Sequence, residues 1–372
     1  MAQDRVVVVN GARTPFARAR SVYAKMPPSA LGGVVLRETI ARSDIDPALI
    51  EEVYFGIVSS PAEGSNIARE ALFDSGLPAT IPATTINRYC ASSLAATAGI
   101  VGKIMAGQID IGIAGGVESI SSIRALFSQE ATDFFQDLAK AKTTGQRLTK
   151  ISQFRPMLLA PHAPGIKEPT TGLTMGQSAD LMAREFKVTR EEQDKYAVDS
   201  HLKAHNAWER GFYKTHVVPV GTPDGKIVDR DTDVRSDTSV EKLAKLRPVF
   251  YKDGTITAGN ASPLTDGASA VLLMTESKAR ELKLQILGVV RGYATAAVDI
   301  KKEALLIGPA YAIPKALKNA GVQWSDLDLV EMHEAFAAQA LSTIKAIESK
   351  ERCKEKLGLD KAVACLLYTS PS

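Results

Sequence analysis

Between residues 5 and 120 the chain alternates short apolar runs with helical patterns, and this alternation limits the possible folds more than any other feature. Val6 to Asn10, Val53 to Val58, Thr84 to Asn87 and Ile109 to Ala114 have the length and composition of strands. Ser29 to Ala41, Asn66 to Leu72 and Ser92 to Ala106 lie between or after them and have helical periodicity. Strands joined by helices of this length form βαβ units around a buried parallel sheet. The apolar runs are continuous, as expected for a sheet covered on both faces.

From about Ser121 to Arg247 the character changes. Charge density rises, prolines recur at Pro156, Pro161, Pro164 and Pro169, and Gly176 to Phe186 and Arg190 to Arg210 are amphipathic. This pattern predicts a loop-rich helical insertion. After Gly254 the βα pattern returns with Ala268 to Met274, Gln285 to Tyr293, a helix over Ala312 to Asn319, and Leu327 to Met332. Leu36, Ile40, Ile45, Ile50, Val53 and Phe55 match Ile313, Leu317, Val322, Leu327, Val330 and Met332 at one constant offset. Six apolar matches without a gap predict two α/β halves of similar topology.

Composition excludes several classes. With 45% hydrophobic and 23% charged residues, the 372-residue chain is neither disordered nor fibrous. A net charge of +3 is too small for a nucleic-acid binder. Cys90, Cys353 and Cys365 cannot form a disulfide scaffold, so an intracellular, cytoplasmic chain with reduced thiols is expected. A strand begins at Arg5 with no secretory pattern ahead of it, and Ile100 to Val117 is broken by Lys103, Gln108 and Asp110. No transmembrane segment is expected.

Four constellations carry chemistry. Cys90 stands in Asn87-Arg88-Tyr89-Cys90-Ala91-Ser92-Ser93-Leu94, at a strand end with a small-residue helix directly after it. Unpaired N–H groups at a helix start favour a thiolate and can hold an oxyanion; a buried structural cysteine is the competing reading. Gly115-Gly116-Val117-Glu118-Ser119 follows the Ile109 strand and reads as a tight turn, without the third glycine of a dinucleotide site. Gly259 to Ala268 is a run of small residues along which a thin ligand could lie. Glu331-Met332-His333-Glu334-Ala335-Phe336-Ala337 puts His333 at a strand end, as an oxyanion donor or as a packed core histidine. His201 and His205 share a helix face at metal-pair spacing, but the charged residues around them favour a solvated face, and no metal site is expected.

These four motifs, in this order and over nearly the whole chain, resemble the thiolase family. Within it the chain is most similar to the β-subunit of the fatty-acid oxidation trifunctional complex and its bacterial relatives. The pointers are His333 where most thiolases carry Asn, Met175-Gly176-Gln177-Ser178-Ala179-Asp180, and Leu306-Ile307-Gly308-Pro309-Ala310-Tyr311. The resemblance implies an α/β thiolase-like fold, two βαβαβαββ halves stacked in α-β-α-β-α layers with a helical loop domain inserted in the first. Residues 1–120, completed by 251–276, would be the first half, 121–250 the insertion, and 277–363 an incomplete second half. Residues 364–372 resemble nothing in the family and read as a foreign or misread tail.

The function implied is thiolytic cleavage of 3-ketoacyl-CoA by CoA in fatty-acid β-oxidation, through an acyl-enzyme on Cys90. By the same resemblance the Cys90 N–H serves one oxyanion hole and a water held by His333 the other. Met175, Arg235, Val249, Ala258, Ser262 and Phe336 would contact CoA. Coenzyme A is a substrate, and no cofactor is implied. The partners implied are acyl-CoA and CoA, a second copy in a homodimer, and an α-subunit carrying hydratase and dehydrogenase activities. Two family motifs are not found in these 372 residues, a Gly-His-Pro whose His activates the nucleophile and a Cys-x-Gly whose Cys is the second acid/base. The expectation is therefore a C-terminally truncated chain that is inactive as given. The alternatives are a β-ketoacyl synthase-type condensing enzyme and a non-catalytic acyl-CoA-binding protein.

Overall fold

A computed structural model describes residues 4–61, 63–124, 126–160 and 167–364. Pro161, Pro164, Cys365 and the expected tail beyond Ala364 lie outside the described residues. The chain divides into two compact units, one of Met1–Ser122 with Leu173–Ser372 and one of Ile123–Gly172. The second unit is shorter than the 121–250 stretch read as an insertion, and residues 173–250 belong to the first.

The first unit opens with β1 (Val6–Arg13), β2 (Ala17–Arg18), α1 (Pro28–Ala41), β3 (Glu52–Gly56), α2 (Ile67–Ser75), β4 (Ala83–Ile86), α3 (Ser92–Met105) and β5 (Ile111–Glu118). The second unit contains α4 (Gln129–Lys140) and α5 (Thr144–Ser152). The first unit resumes with α6 (Met175–Glu185), α7 (Arg190–Glu209), β6 (Val220–Gly221), β7 (Ile227–Val228), α8 (Val240–Ala244), β8 (Thr265–Thr275) and α9 (Glu276–Glu281). It ends with β9 (Gly288–Val289), α10 (Gly308–Ala320), α11 (Ala337–Glu348) and α12 (Lys350–Leu357).

The main sheet runs β4-β3-β5-β8-β1-β9, with β2 paired to β8. It is mixed. β3 lies parallel to both β4 and β5, whereas β8 runs antiparallel to β5 and β1. The expected parallel sheet is thus corrected at β8, which enters after the long excursion and needs no βαβ crossover. Both faces are covered, as the continuous apolar runs predict. Val7, Phe55, Ile113 and Leu272 pack with Leu31, Val35, Leu36, Ile67 and Leu72 of α1 and α2. Their chain neighbours Val6, Ala114 and Leu273 pack on the other face with Ile100, Val101 and Ile104 of α3. Each such side chain contributes about 1.5–3 kcal/mol on full burial.

The C-terminal stretch departs from the expected pattern. α10 forms where the repeat predicts a helix, but Leu327 to Met332 forms no strand. Of Gln285 to Tyr293 only Gly288–Val289 pairs, on β1. An apolar run becomes a strand only where a partner takes up its N–H and C=O groups, and Leu329 is 85% exposed here. Among the described residues no helix is long and apolar enough to cross a membrane.

Candidate active site

The parallel strands β3, β4 and β5 end on one edge of the sheet, the edge where α/β folds place their sites. There β4 delivers a five-residue turn, Asn87 to Ala91, and α3 starts at Ser92. Tyr89 occupies left-handed backbone, φ 47°, which is costly for a bulky residue. Local polar side chains hold it. Asn87 Oδ1 accepts from the Tyr89 N–H at 3.0 Å, and Ser92 Oγ donates to the Tyr89 carbonyl at 2.6 Å. Ser92 Oγ also accepts from the Arg88 N–H at 2.8 Å. Cys90 follows this bend, exposed, directly ahead of the first turn of α3.

Glycines let α3 begin so close to the sheet. A Cβ on Gly56, the last residue of β3, would lie 2.4 Å from the Ser92 carbonyl carbon and 2.6 Å from the Ser93 nitrogen. A Cβ on Gly116 would lie 2.2 Å from Ser93 Oγ. Gly115 and Gly116 therefore do not form the tight turn expected. They lie inside β5, paired with Ala270 and Ser269; Gly116 clears space for Ser93 of α3, whereas Gly115 lets the Ser269 carbonyl of β8 and the Phe55 ring come close.

The third and fourth motifs meet each other. Ser262 N–H donates to the Ala335 carbonyl at 3.0 Å, Ala337 N–H to the Asn260 carbonyl at 3.0 Å, and Ala261 bridges Phe336. Buried Asn260 anchors the loop, accepting from the Thr257 N–H and donating to Asp194 Oδ1 (2.9 Å) and the Thr255 carbonyl. Asp180, at the end of the Met175 motif, accepts from the N–H groups of Thr255 and Ile256, fixing the base of the same loop. Gly176 lies where any Cβ would strike the Phe250 ring, and Phe250 meets Phe336 edge-on at 6.3 Å. Met175, Ser262 and Phe336 are thereby gathered around one loop, and Val249 joins them through its N–H bond to the Ile256 carbonyl. Val249, Ala258 and Ser262 are exposed, while Met175 and Phe336 are half-buried.

His333 is exposed on the irregular segment before α11 rather than at a strand end. Its neighbour Glu334 accepts from Ser200 Oγ of α7 at 2.6 Å. Glu331 is pushed above the usual carboxylate range, by burial first and then by the charge of Glu334. His201 is partly buried rather than on a fully solvated helix face. Its Nδ1 accepts from the Arg235 N–H at 3.3 Å, and its pKa is held below the usual histidine range by burial and then by Arg235. His205 instead faces Glu209 at 3.9 Å, so the two histidines do not act as a pair. Arg235 borders a hollow of about 400 Å³ with Arg18, Ser21, Val22, Thr232 and Asp233, and Arg18 is ion-paired to Asp233 at 2.6 Å. Sequence reasoning does not single out the anchors of the Cys90 turn, the side chains of Asn87 and Ser92, nor Tyr293, whose Oη accepts from Arg88 Nη1 at 3.2 Å.

Comparison with known proteins places these features in context. Residues 6–277 match the family model "Thiolase, N-terminal domain", and residues 284–361 match "Thiolase, C-terminal domain". A 3-ketoacyl-CoA thiolase of Pectobacterium atrosepticum is 44% identical over 362 residues, 97% of this chain and 83% of that protein. Those of Serratia proteamaculans and Vibrio cholerae are 44% and 43% identical over the same spans. The crystal structure of the Bacillus anthracis acetyl-CoA acetyltransferase superposes with a TM-score of 0.83 at 32% identity, covering 94% of this chain and 85% of that one.

Proposed function

The chain belongs to the thiolase family, and from that premise we propose that it is an acyltransferase that cleaves 3-ketoacyl-CoA with CoA, carrying the acyl group on Cys90. The observation that supports this reading is the exposed thiol between a left-handed Tyr89 and the first turn of α3, at the C-terminal edge of the parallel strands. The Cys90 thiolate adds to the 3-keto carbon. The C2–C3 bond then breaks, its electron pair leaves on acetyl-CoA and takes a proton, and the shortened acyl group stays on Sγ as a thioester. Attack by the CoA thiolate on that thioester returns Cys90 and releases acyl-CoA, a ping-pong sequence. The Cys90 N–H at the start of α3 faces the charge that develops on the acyl oxygen, and each such donor is worth about 10²–10³ in rate. His333 would hold a water against the thioester oxygen of the acetyl-CoA portion.

Arg235 is the partner proposed for the nucleotide phosphates, with the small and apolar residues around the 257–263 loop leaving a lane for the pantetheine arm. Fatty-acid β-oxidation, a cytoplasmic location, a homodimer and an α-subunit with hydratase and dehydrogenase activities belong to the same proposal, on the strength of the family resemblance. The test is acyl-enzyme formation. Mixing the protein with a 3-ketoacyl-CoA and digesting it is expected to give a peptide carrying the shortened acyl mass on Cys90, absent from Cys90→Ala. Release of acetyl-CoA without label on Cys90 would refute the assignment.

A further inference from the structure

The Cys90 turn is held by a relay that ends on a carboxylate the chemistry above does not use. Glu118, the last residue of β5, accepts from the Val58 N–H at 2.9 Å and from the Ser59 N–H at 3.3 Å. These bonds pin the segment that leaves β3. The Val58 carbonyl accepts from Asn87 Nδ2 at 3.0 Å, and Asn87 Oδ1 accepts from the Tyr89 N–H at 3.0 Å. Because Asn87 is bonded at both ends of its amide, its orientation is set by those partners. Every link is within hydrogen-bond range, and the last lands on the residue with φ 47° immediately before the nucleophile. A non-glycine residue in that region is strained and persists only where its surroundings enforce it.

We propose that Glu118 and Asn87 are positioning residues for acyl transfer, holding the Tyr89 bend so that Cys90 Sγ and its N–H face the acyl carbon together. Glu118 is well placed for this. Burial pushes its carboxyl above the usual range, while the Val58 and Ser59 N–H donors favour the charged acceptor form. Neither side chain needs to touch substrate. The inference rests on the reading of Cys90 as the acyl-carrying nucleophile.

The experiment compares wild type with Glu118→Ala, which removes both acceptor oxygens from the Val58 and Ser59 N–H groups, and with Asn87→Ala, an exposed site. Rates of Cys90 acylation by a 3-ketoacyl-CoA are read by mass over a concentration series, beside the rate of iodoacetamide alkylation. Both variants are expected to lose about tenfold or more in maximal acylation rate, since a fraction of an ångström matters to an oriented attack. Half-saturating concentration should stay within about twofold, as for an interaction made only in the transition state. Iodoacetamide, which needs no fixed approach, should react within about threefold of wild type. Asn87→Asp, which retains the acceptor for Tyr89, should recover part of the loss. Wild-type acylation rates in Asn87→Ala, or equal losses of acylation and alkylation, would overturn the inference. Failure of wild type itself to acylate at Cys90 would overturn the parent reading and the inference with it.

Discussion

Gly56→Ala is the sharpest test of how the helix behind Cys90 is seated. The added methyl would lie 2.4 Å from the Ser92 carbonyl carbon and 2.6 Å from the Ser93 nitrogen, where ordinary contact begins at 3.4 Å. Both are backbone atoms, so no rotamer change relieves the overlap. The shortfall of 3.4 − 2.4 = 1.0 Å must come from the start of α3 retreating or from β3 bending. Overpacking of this kind costs about 1–3 kcal/mol. A displacement of about 1 Å at the reacting thiol costs about 10²-fold in rate. Gly102 on the same helix is the control, because nothing lies within 4 Å of its Cβ position. Gly102→Ala should leave acylation unchanged and stabilise the fold by up to about 1 kcal/mol through helix propensity. The assay is Cys90 acylation by a 3-ketoacyl-CoA, with denaturant melts of all three proteins. A Gly56→Ala protein that melts and acylates like wild type would refute the claim that α3 rests on β3 without room for a methyl.

Native iodoacetamide should label Cys90 and spare Cys353, which is fully buried with Sγ 3.5 Å from the Ile347 carbonyl; peptide mapping that finds Cys353 modified before denaturation would contradict this. Asn260→Ala should destabilise by about 2–4 kcal/mol, because it strands Asp194 Oδ1, the Thr257 N–H and the Thr255 carbonyl in buried surroundings; a chemical melt within about 0.5 kcal/mol of wild type would count against it. For His201 the folded pKa lies below the ordinary value, so the unfolded chain takes up the proton first as pH falls. Its contribution is complete above the usual histidine range and is lost as pH drops through that range toward the lower folded value. Melting temperature against pH should therefore flatten in that window for His201→Gln, and parallel curves for the two proteins would exclude the effect.

The first half was legible because each of its strands and helices carries its own period, and burial on both faces leaves the strands apolar throughout, as at Val53 to Phe55. Direction was not legible at β8. An apolar run reads the same parallel or antiparallel, and only the excursion from Ile123 to Gly172 and onward frees it from a crossover. Leu327 to Met332 shows the opposite limit, since the run has the composition of a strand but strand formation depends on a neighbour that composition does not name. At the site, position in the motif located Cys90 but not the conformation that presents it. Nothing in a tyrosine signals φ 47°; the available sign was Asn87 two residues earlier, whose side chain can take the place of a backbone turn partner. The paired glycines misled for a related reason. Sequence says that Gly115 and Gly116 tolerate close approach, and a turn is the usual cause, yet here the approaching groups are the Ser269 carbonyl of the neighbouring strand at Gly115 and, at Gly116, the Ser93 side chain of a helix 23 positions away. The helix face of His201 is visible in sequence, while the group that bonds its ring, the Arg235 N–H, arrives from a loop 34 positions further along. In each case the side chain's type was visible and its partner was not. The motif around Cys90 is local in sequence, whereas the groups that hold its turn are recruited across the sheet edge, and Glu118 reaches Tyr89 only by way of Val58 and Asn87.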